Sequence, residues 1–170
     1  MKYLILLTVL LSLQFGSTAW GQKTAHVNTQ TLMDTLPSRK KALAEIAEVT
    51  KRSETELLQM DKDLQEAYNK YMSVKKDQSE QVNLYEESKL QKMQQELQNR
   101  EKELTTLVQN MTITMNDKTY KIIKEAVKTV ANKKGIQYII EEATAVYAGG
   151  VSITNDAITE LLRMDALTSK

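Results

Sequence analysis

The feature that most constrains this chain is a long stretch without glycine or proline, which runs from just after Pro37 to about Thr129. Pro37 itself suits the first turn of a helix, where its missing N–H group is not needed. Positions spaced alternately three and four residues apart are apolar or aromatic at eight of ten places: Leu43, Ile46, Thr50, Ser53, Leu57, Met60, Leu64, Ala67, Tyr71 and Val74. This period predicts a long α-helix of the coiled-coil type.

A second series with the same period predicts a second long helix. Its positions are Leu90, Met93, Leu97, Arg100, Leu104, Leu107 and Met111, and it continues through Met115, Ile122, Ile123, Val127 and Val130. The largely polar residues 75–87 lie between the two series and predict a chain reversal. We therefore expect an antiparallel coiled-coil hairpin. At 1.5 Å per residue, two helices of about 40 residues give an arm roughly 60 Å long.

The segments on either side of this arm predict a small β-rich head, so the expected fold class is α+β. Residues 23–28 read as a short strand with Ala25 and Val27 on one face. Residues 137–141 and 145–148 are expected to form the two strands of a hairpin, after Gly135 has ended the second long helix. A last helix is expected near Thr154. Because so few short strands bury little apolar surface, we expect the head to associate with other copies of itself.

The N-terminus has the pattern of a secretory signal peptide. Lys2 precedes an apolar run from Leu4 to Leu13, and the small residues Ala19 and Gly21 suit cleavage after Gly21. The run is shorter than the about 20 apolar residues that span a bilayer, although an uncleaved anchor is the alternative. The sequence therefore predicts an exported protein whose leader is residues 1–21.

Composition argues against several functional classes. The chain has 23 basic and 22 acidic residues, and one basic residue, Lys2, falls in the leader, so the rest is formally neutral. Neutrality argues against a nucleic-acid partner, and the absence of cysteine excludes disulfides. No glycine-rich phosphate loop or catalytic carboxylate pair is found, so we expect neither enzymatic activity nor a cofactor. The single histidine, His26, is interpreted as a surface or interface residue rather than a metal ligand.

The two flanking segments carry a family resemblance. Residues 24–30 (TAHVNTQ) with residues 32–34 (LMD), and residues 131–140 (ANKKGIQYII) with residues 146–148 (VYA), are similar to the Skp (OmpH) family of periplasmic chaperones. The likeness extends over essentially the whole chain after the leader, because the helical middle also has the family's length. One departure is that better-known members are strongly basic, which weakens the transfer of a lipopolysaccharide site to this neutral chain.

The resemblance implies a three-armed homotrimer, in which β-rich heads assemble and helical arms surround a cavity. In such an assembly the head consists of residues 22–36 and 135–170, and the arm of residues 37–134. The head and trimer-core positions that it implies are Ala25, Val27, Ile139, Ile140, Val146 and Tyr147. It also implies that the protein holds unfolded outer-membrane proteins in the periplasm without ATP.

Two groups of arm residues are candidate interaction sites. Flexible methionine and amphipathic tyrosine suit surfaces that accept many partners, and the candidate client contacts are Tyr71, Met72, Tyr85, Met60 and Met93. Lysines spaced three or four apart form a basic stripe: Lys118, Lys121, Lys124 and Lys128. The stripe is interpreted as a solvated helix face, with weak attraction of clients, membrane lipid or lipopolysaccharide as the alternative.

Two functions remain open from the sequence. The favoured one is a holdase, which keeps unfolded outer-membrane proteins from aggregating by many weak contacts from several arms. The alternative is a structural coiled-coil adaptor of the cell envelope that binds one folded partner.

Overall fold

The computed structural model describes residues 23–168, so the predicted leader and its cleavage site lie outside the described part of the chain. Long helices and a small sheet confirm the α+β class. The elements in chain order are β1 (Thr24–Val27), α1 (Thr29–Thr35), α2 (Pro37–Val74), a 3₁₀ turn (Lys75–Asp77), α3 (Glu80–Lys134), β2 (Tyr138–Glu141), a second 3₁₀ turn (Glu142–Thr144), β3 (Val151–Ser152) and α4 (Thr154–Thr168). Within residues 23–168, no helix is both long and apolar enough to cross a membrane.

Helices α2 and α3 form the predicted hairpin arm, but they are unequal. They have 38 and 55 residues, or about 57 and 80 Å at 1.5 Å per residue. The reversal occupies only the 3₁₀ turn and the two residues after it, because the Ser79 side chain caps α3 by accepting the N–H of Val82. Helix α3 ends at Gly135, whose φ of 62° is the left-handed conformation that favours glycine after a helix.

The seam between the two helices changes its period along the arm. In α2 every predicted position from Ile46 to Val74 is buried or half-buried, but the first predicted position, Leu43, is wrong because its side chain is 44% exposed. In α3 the prediction of Leu107 is wrong, because that side chain is 46% exposed and Val108 takes its place in the seam.

An 11-residue repeat explains this shift in α3. The half-buried or buried positions Leu97, Val108, Thr119 and Val130 are each eleven residues apart. Eleven residues in three turns give about 3.67 residues per turn, whereas a heptad gives 3.5. Heptads near the tip favour a left-handed supercoil, and the longer period reduces this supercoil toward the head.

The sheet is parallel, and this overturns the predicted hairpin. The strand order is β2–β1–β3, and both outer strands pair with β1 in parallel, with Ala25 opposite Ile139 on one side and Val151 on the other. Residues 145–148 form no strand; they belong to the segment 142–150, which joins β2 to β3. The whole arm serves as the crossover between β1 and β2, because parallel neighbours cannot be joined by a tight turn.

One apolar core holds the sheet, the short helices and the base of the arm together. Its fully buried members come from all of these elements: Ala25, Val27, Leu32, Leu36, Ile123, Ala126, Val130, Ile153, Ala157 and Leu161. Helix α4 contacts α1, α2, α3 and β1. The head therefore depends on α4 to close its core.

Two buried acidic residues on α4 connect the head to the two arm helices. Asp165 accepts the backbone N–H of Ser38 at 3.2 Å, so a carboxylate from the far end of the chain caps α2, whose own cap residue Leu36 has no side-chain bond. Glu160 bonds Lys133 of α3 at 2.9 Å and Arg163 at 2.6 Å. These hydrogen bonds, that of Arg163 first, lower the pKa of Glu160 to about 2.

This pairing predicts a loss of stability in acid that depends on Glu160. Because the pKa of Glu160 in the folded state lies below the ordinary glutamate value of 4.5, the pair stabilises the fold above about pH 4.5 and its contribution is lost as pH falls toward 2. In urea unfolding between pH 6 and 2.5, we expect Glu160→Gln to be less stable than the wild type at pH 6, with the difference shrinking in acid. The exposed Glu125→Gln is the matched control. If the stability difference between the wild type and Glu160→Gln stayed constant with pH, the assignment of the acid-dependent loss to Glu160 would be wrong.

Candidate client-binding and assembly surfaces

The tip of the arm contains a closed polar cluster around Tyr71. The Tyr71 ring is 5% exposed, its hydroxyl donates to Glu87 at 2.6 Å, and Lys75 donates to the same oxygen at 2.9 Å. The Lys75 ammonium also lies 5.2 Å from the centre of the Tyr71 ring. Burial and the Glu87 carboxylate raise the pKa of Tyr71. Tyr71 therefore holds the tip together and does not present its side chain to solvent.

The other candidate client contacts divide into exposed and seam positions. Met72 and Tyr85 are exposed near the tip, whereas Met60 and Met93 are half-buried in the seam. Further exposed apolar side chains lie on the tip half of the arm: Leu58, Tyr68, Val82 and Leu84. The first two each follow a seam position by one residue, and the last two lie at the start of α3 before its predicted series begins at Leu90, so periodicity alone gave no reason to single them out.

The middle of the arm is joined by an ion pair across the seam. Arg100 approaches Glu56 of the opposite helix to 2.6 Å and Glu103 of its own helix to 3.0 Å. The hydrogen bond from Arg100 lowers the pKa of Glu56. Arg100, which interrupts the apolar pattern in the sequence, thus connects the two helices in the structure.

The basic stripe borders a cleft at the base of the arm. Lys118, Lys121, Lys124 and Lys128 are all exposed, and the first two line an opening of about 720 Å³ between α2, α3 and α4. Its walls are mainly apolar side chains, among them Leu36, Met115, Ile122 and Met164. The other two lysines lie farther along α3 and do not line it.

The predicted head positions separate into core and surface. Ala25 and Val27 are buried and Ile139 packs against them. Ile140 is 47% exposed, and Val146 and Tyr147 are 108% and 88% exposed. We group these exposed head residues, together with the exposed Tyr138, under the name outer patch: Tyr138, Ile140, Val146 and Tyr147.

His26 is more constrained than the sequence suggested. Its ring is bonded to the Glu142 carboxylate and to the Gly150 carbonyl, and its side chain is 13% exposed. Within residues 23–168, no group of three or more histidine, cysteine or acidic residues is placed to hold a metal ion. Glu142 and Gly150 follow His26 by more than a hundred positions, so no local pattern could have indicated these contacts.

The described residues thus form a long helical hairpin on a small parallel sheet, with exposed apolar side chains at both ends. The family model described as outer membrane protein (OmpH-like) matches residues 23–161, and the chain belongs to this family. The resemblance carried by the two flanking segments is thereby confirmed. The family is one of periplasmic chaperones for outer-membrane proteins, and its members are not known as enzymes. No curated protein matches this chain significantly.

Proposed function

We propose that this protein is a periplasmic, ATP-independent holdase that binds unfolded outer-membrane proteins between the arms of a homotrimer. The observation that carries the proposal is the family match, which spans most of the head and the whole arm rather than the unspecific coiled coil alone. Export through a leader cleaved after Gly21 belongs to the same proposal.

The outer patch supports assembly through the head. Moving side chains such as Val146 and Tyr147 out of water is favourable, and no other residue within the described range 23–168 covers them. The two outer strands of the sheet also leave backbone groups open to further partners. Three copies that share these surfaces would place three arms side by side.

The exposed tip residues support client contact. Each apolar side chain offers only a weak and unspecific contact, but three linked arms raise the effective concentration of every further contact once the first is made. A partner that binds only the unfolded state keeps that state from aggregating without any nucleotide.

We propose Met72 and Tyr85 as the first client contacts, with Met60 and Met93 reachable only if the seam opens. The basic stripe is proposed as a solvated face with at most weak contact to anionic lipid or lipopolysaccharide.

An aggregation assay tests the holdase directly. A urea-unfolded outer-membrane β-barrel protein is diluted into buffer with increasing amounts of the purified protein and no nucleotide. We expect light scattering to fall to the baseline near one trimer per client. Scattering that stays unchanged above that ratio would reject the holdase and leave the structural adaptor as the better reading. Met72→Ser with Tyr85→Ser, compared with Tyr120→Ser at the arm base, tests whether the tip makes the contacts.

A further inference from the structure

The segment 142–150 crosses the open face of the sheet directly over His26. Its ends join β2 and β3, which lie on opposite sides of β1. Ala25 and Val27 point into the core on the helical side, so His26 between them points to the other face. The crossing segment contacts His26, whose side chain is only 13% exposed, while Ile140 on the same face remains 47% exposed.

His26 contacts both ends of that segment. Its Nδ1 lies 3.2 Å from the Glu142 carboxylate, where the segment leaves β2, and its Nε2 lies 3.3 Å from the Gly150 carbonyl, where the segment reaches β3. Both partners are oxygen acceptors. A neutral imidazole carries one N–H and can donate to one of them, whereas the imidazolium donates to both.

The other groups around His26 do not compete for this role. Its neighbours across the strands are Ile140 and Ser152, which do not titrate in the ordinary range. Glu141, next to Glu142, turns to the opposite side and bonds Thr29. Within residues 23–168, the Glu142 carboxylate forms an ion pair with His26 and with no other residue.

We propose that His26 is a proton-dependent clamp, which in its charged form fixes both ends of segment 142–150 and thereby orders the Val146–Tyr147 part of the outer patch. Histidine is the side chain that ordinarily changes charge between pH 5 and 8. At the acidic end of this range both bonds form; at the alkaline end one acceptor loses its donor and one end of the segment is released. The consequence for assembly rests on the proposed function, because it takes the outer patch as the trimer interface.

The clamp itself is tested by the Val146 methyl groups in protein carrying ¹³C-labelled valine methyls. We expect one sharp pair of signals at pH 5.5, and signals at pH 8 that are broadened or moved toward unfolded-chain positions. His26→Gln removes the titrating group, so its signals should not change between the two pH values. Glu142→Gln keeps an oxygen acceptor but removes the carboxylate that makes the bond to the imidazolium charge-assisted, so the difference between the two pH values should be smaller. The matched control Glu125→Gln should behave as the wild type.

Sedimentation of the same samples tests the consequence for assembly. Losing one charge-assisted hydrogen bond that orders the outer patch should weaken association roughly tenfold from pH 5.5 to pH 8 in the wild type and in Glu125→Gln, but not in His26→Gln. Identical Val146 signals at both pH values, or a His26→Gln protein that responds as the wild type does, would overturn the clamp. A chain that stays monomeric at every pH would reject the trimer, while the methyl signals would still decide the clamp.

Discussion

Leu161→Ala is expected to lower the free energy of unfolding by about 2–5 kcal/mol, the usual range for truncating a fully buried leucine. The Leu161 side chain is 0% exposed and lies on α4, the helix that closes the head core. Truncation removes apolar contacts and leaves a cavity. The elements around the cavity belong to one close-packed core, so no single element can move in to fill it. The loss should appear as a lower urea midpoint with an unchanged slope.

The next residue along the chain provides the matched control. Leu162 is the same side chain on the same helix but is 38% exposed, so Leu162→Ala should cost less than about 1 kcal/mol. Both variants are compared with the wild type at one protein concentration, because self-association makes apparent stability depend on concentration. Equal losses in the two variants would show that α4 does not close the core with the face described.

The arm was the part of the fold that the sequence predicted best, for a physical reason. A helix seam is set by spacing within each helix, so the heptads of α2 predicted its buried positions almost completely. The prediction failed at Leu107 because the period itself changes to eleven residues there, and a strict heptad continues onto the wrong face.

The head was predicted less well, because its pairing is decided between distant segments. Residues 145–148 have a strand-like composition, yet β2 and β3 both pair with β1, and the apolar Val146 and Tyr147 remain outside the sheet. No local pattern chooses between a hairpin and two parallel pairings with a strand more than a hundred residues away. The hydrogen bond from the Ser38 N–H to Asp165 could not be predicted either, because it also joins two distant segments.

Introducing two carboxylates into the outer patch, Val146→Asp with Tyr147→Asp, is expected to abolish the proposed trimer while leaving the single chain folded. Both side chains are almost fully exposed in one chain, and substitutions at such positions usually change stability by less than about 0.5 kcal/mol. In an assembled head the same positions would bury unpaired charges of one sign, three copies of each. Desolvation and mutual repulsion then oppose association, and we expect the dissociation constant to rise at least about a hundredfold, which corresponds to roughly 2.8 kcal/mol.

Sedimentation velocity measures this result, and circular dichroism confirms that the helices persist. Tyr120→Asp is the matched control, since this side chain is 56% exposed but lies at the base of the arm, so that protein should assemble as the wild type does. A doubly substituted protein that sediments like the wild type would remove the outer patch from the interface. The same pair of proteins separates the role of the assembly from that of the arm. If three arms act together by avidity, the dissociated chain should no longer suppress client aggregation even though its tip residues are unchanged, because each remaining contact is too weak alone.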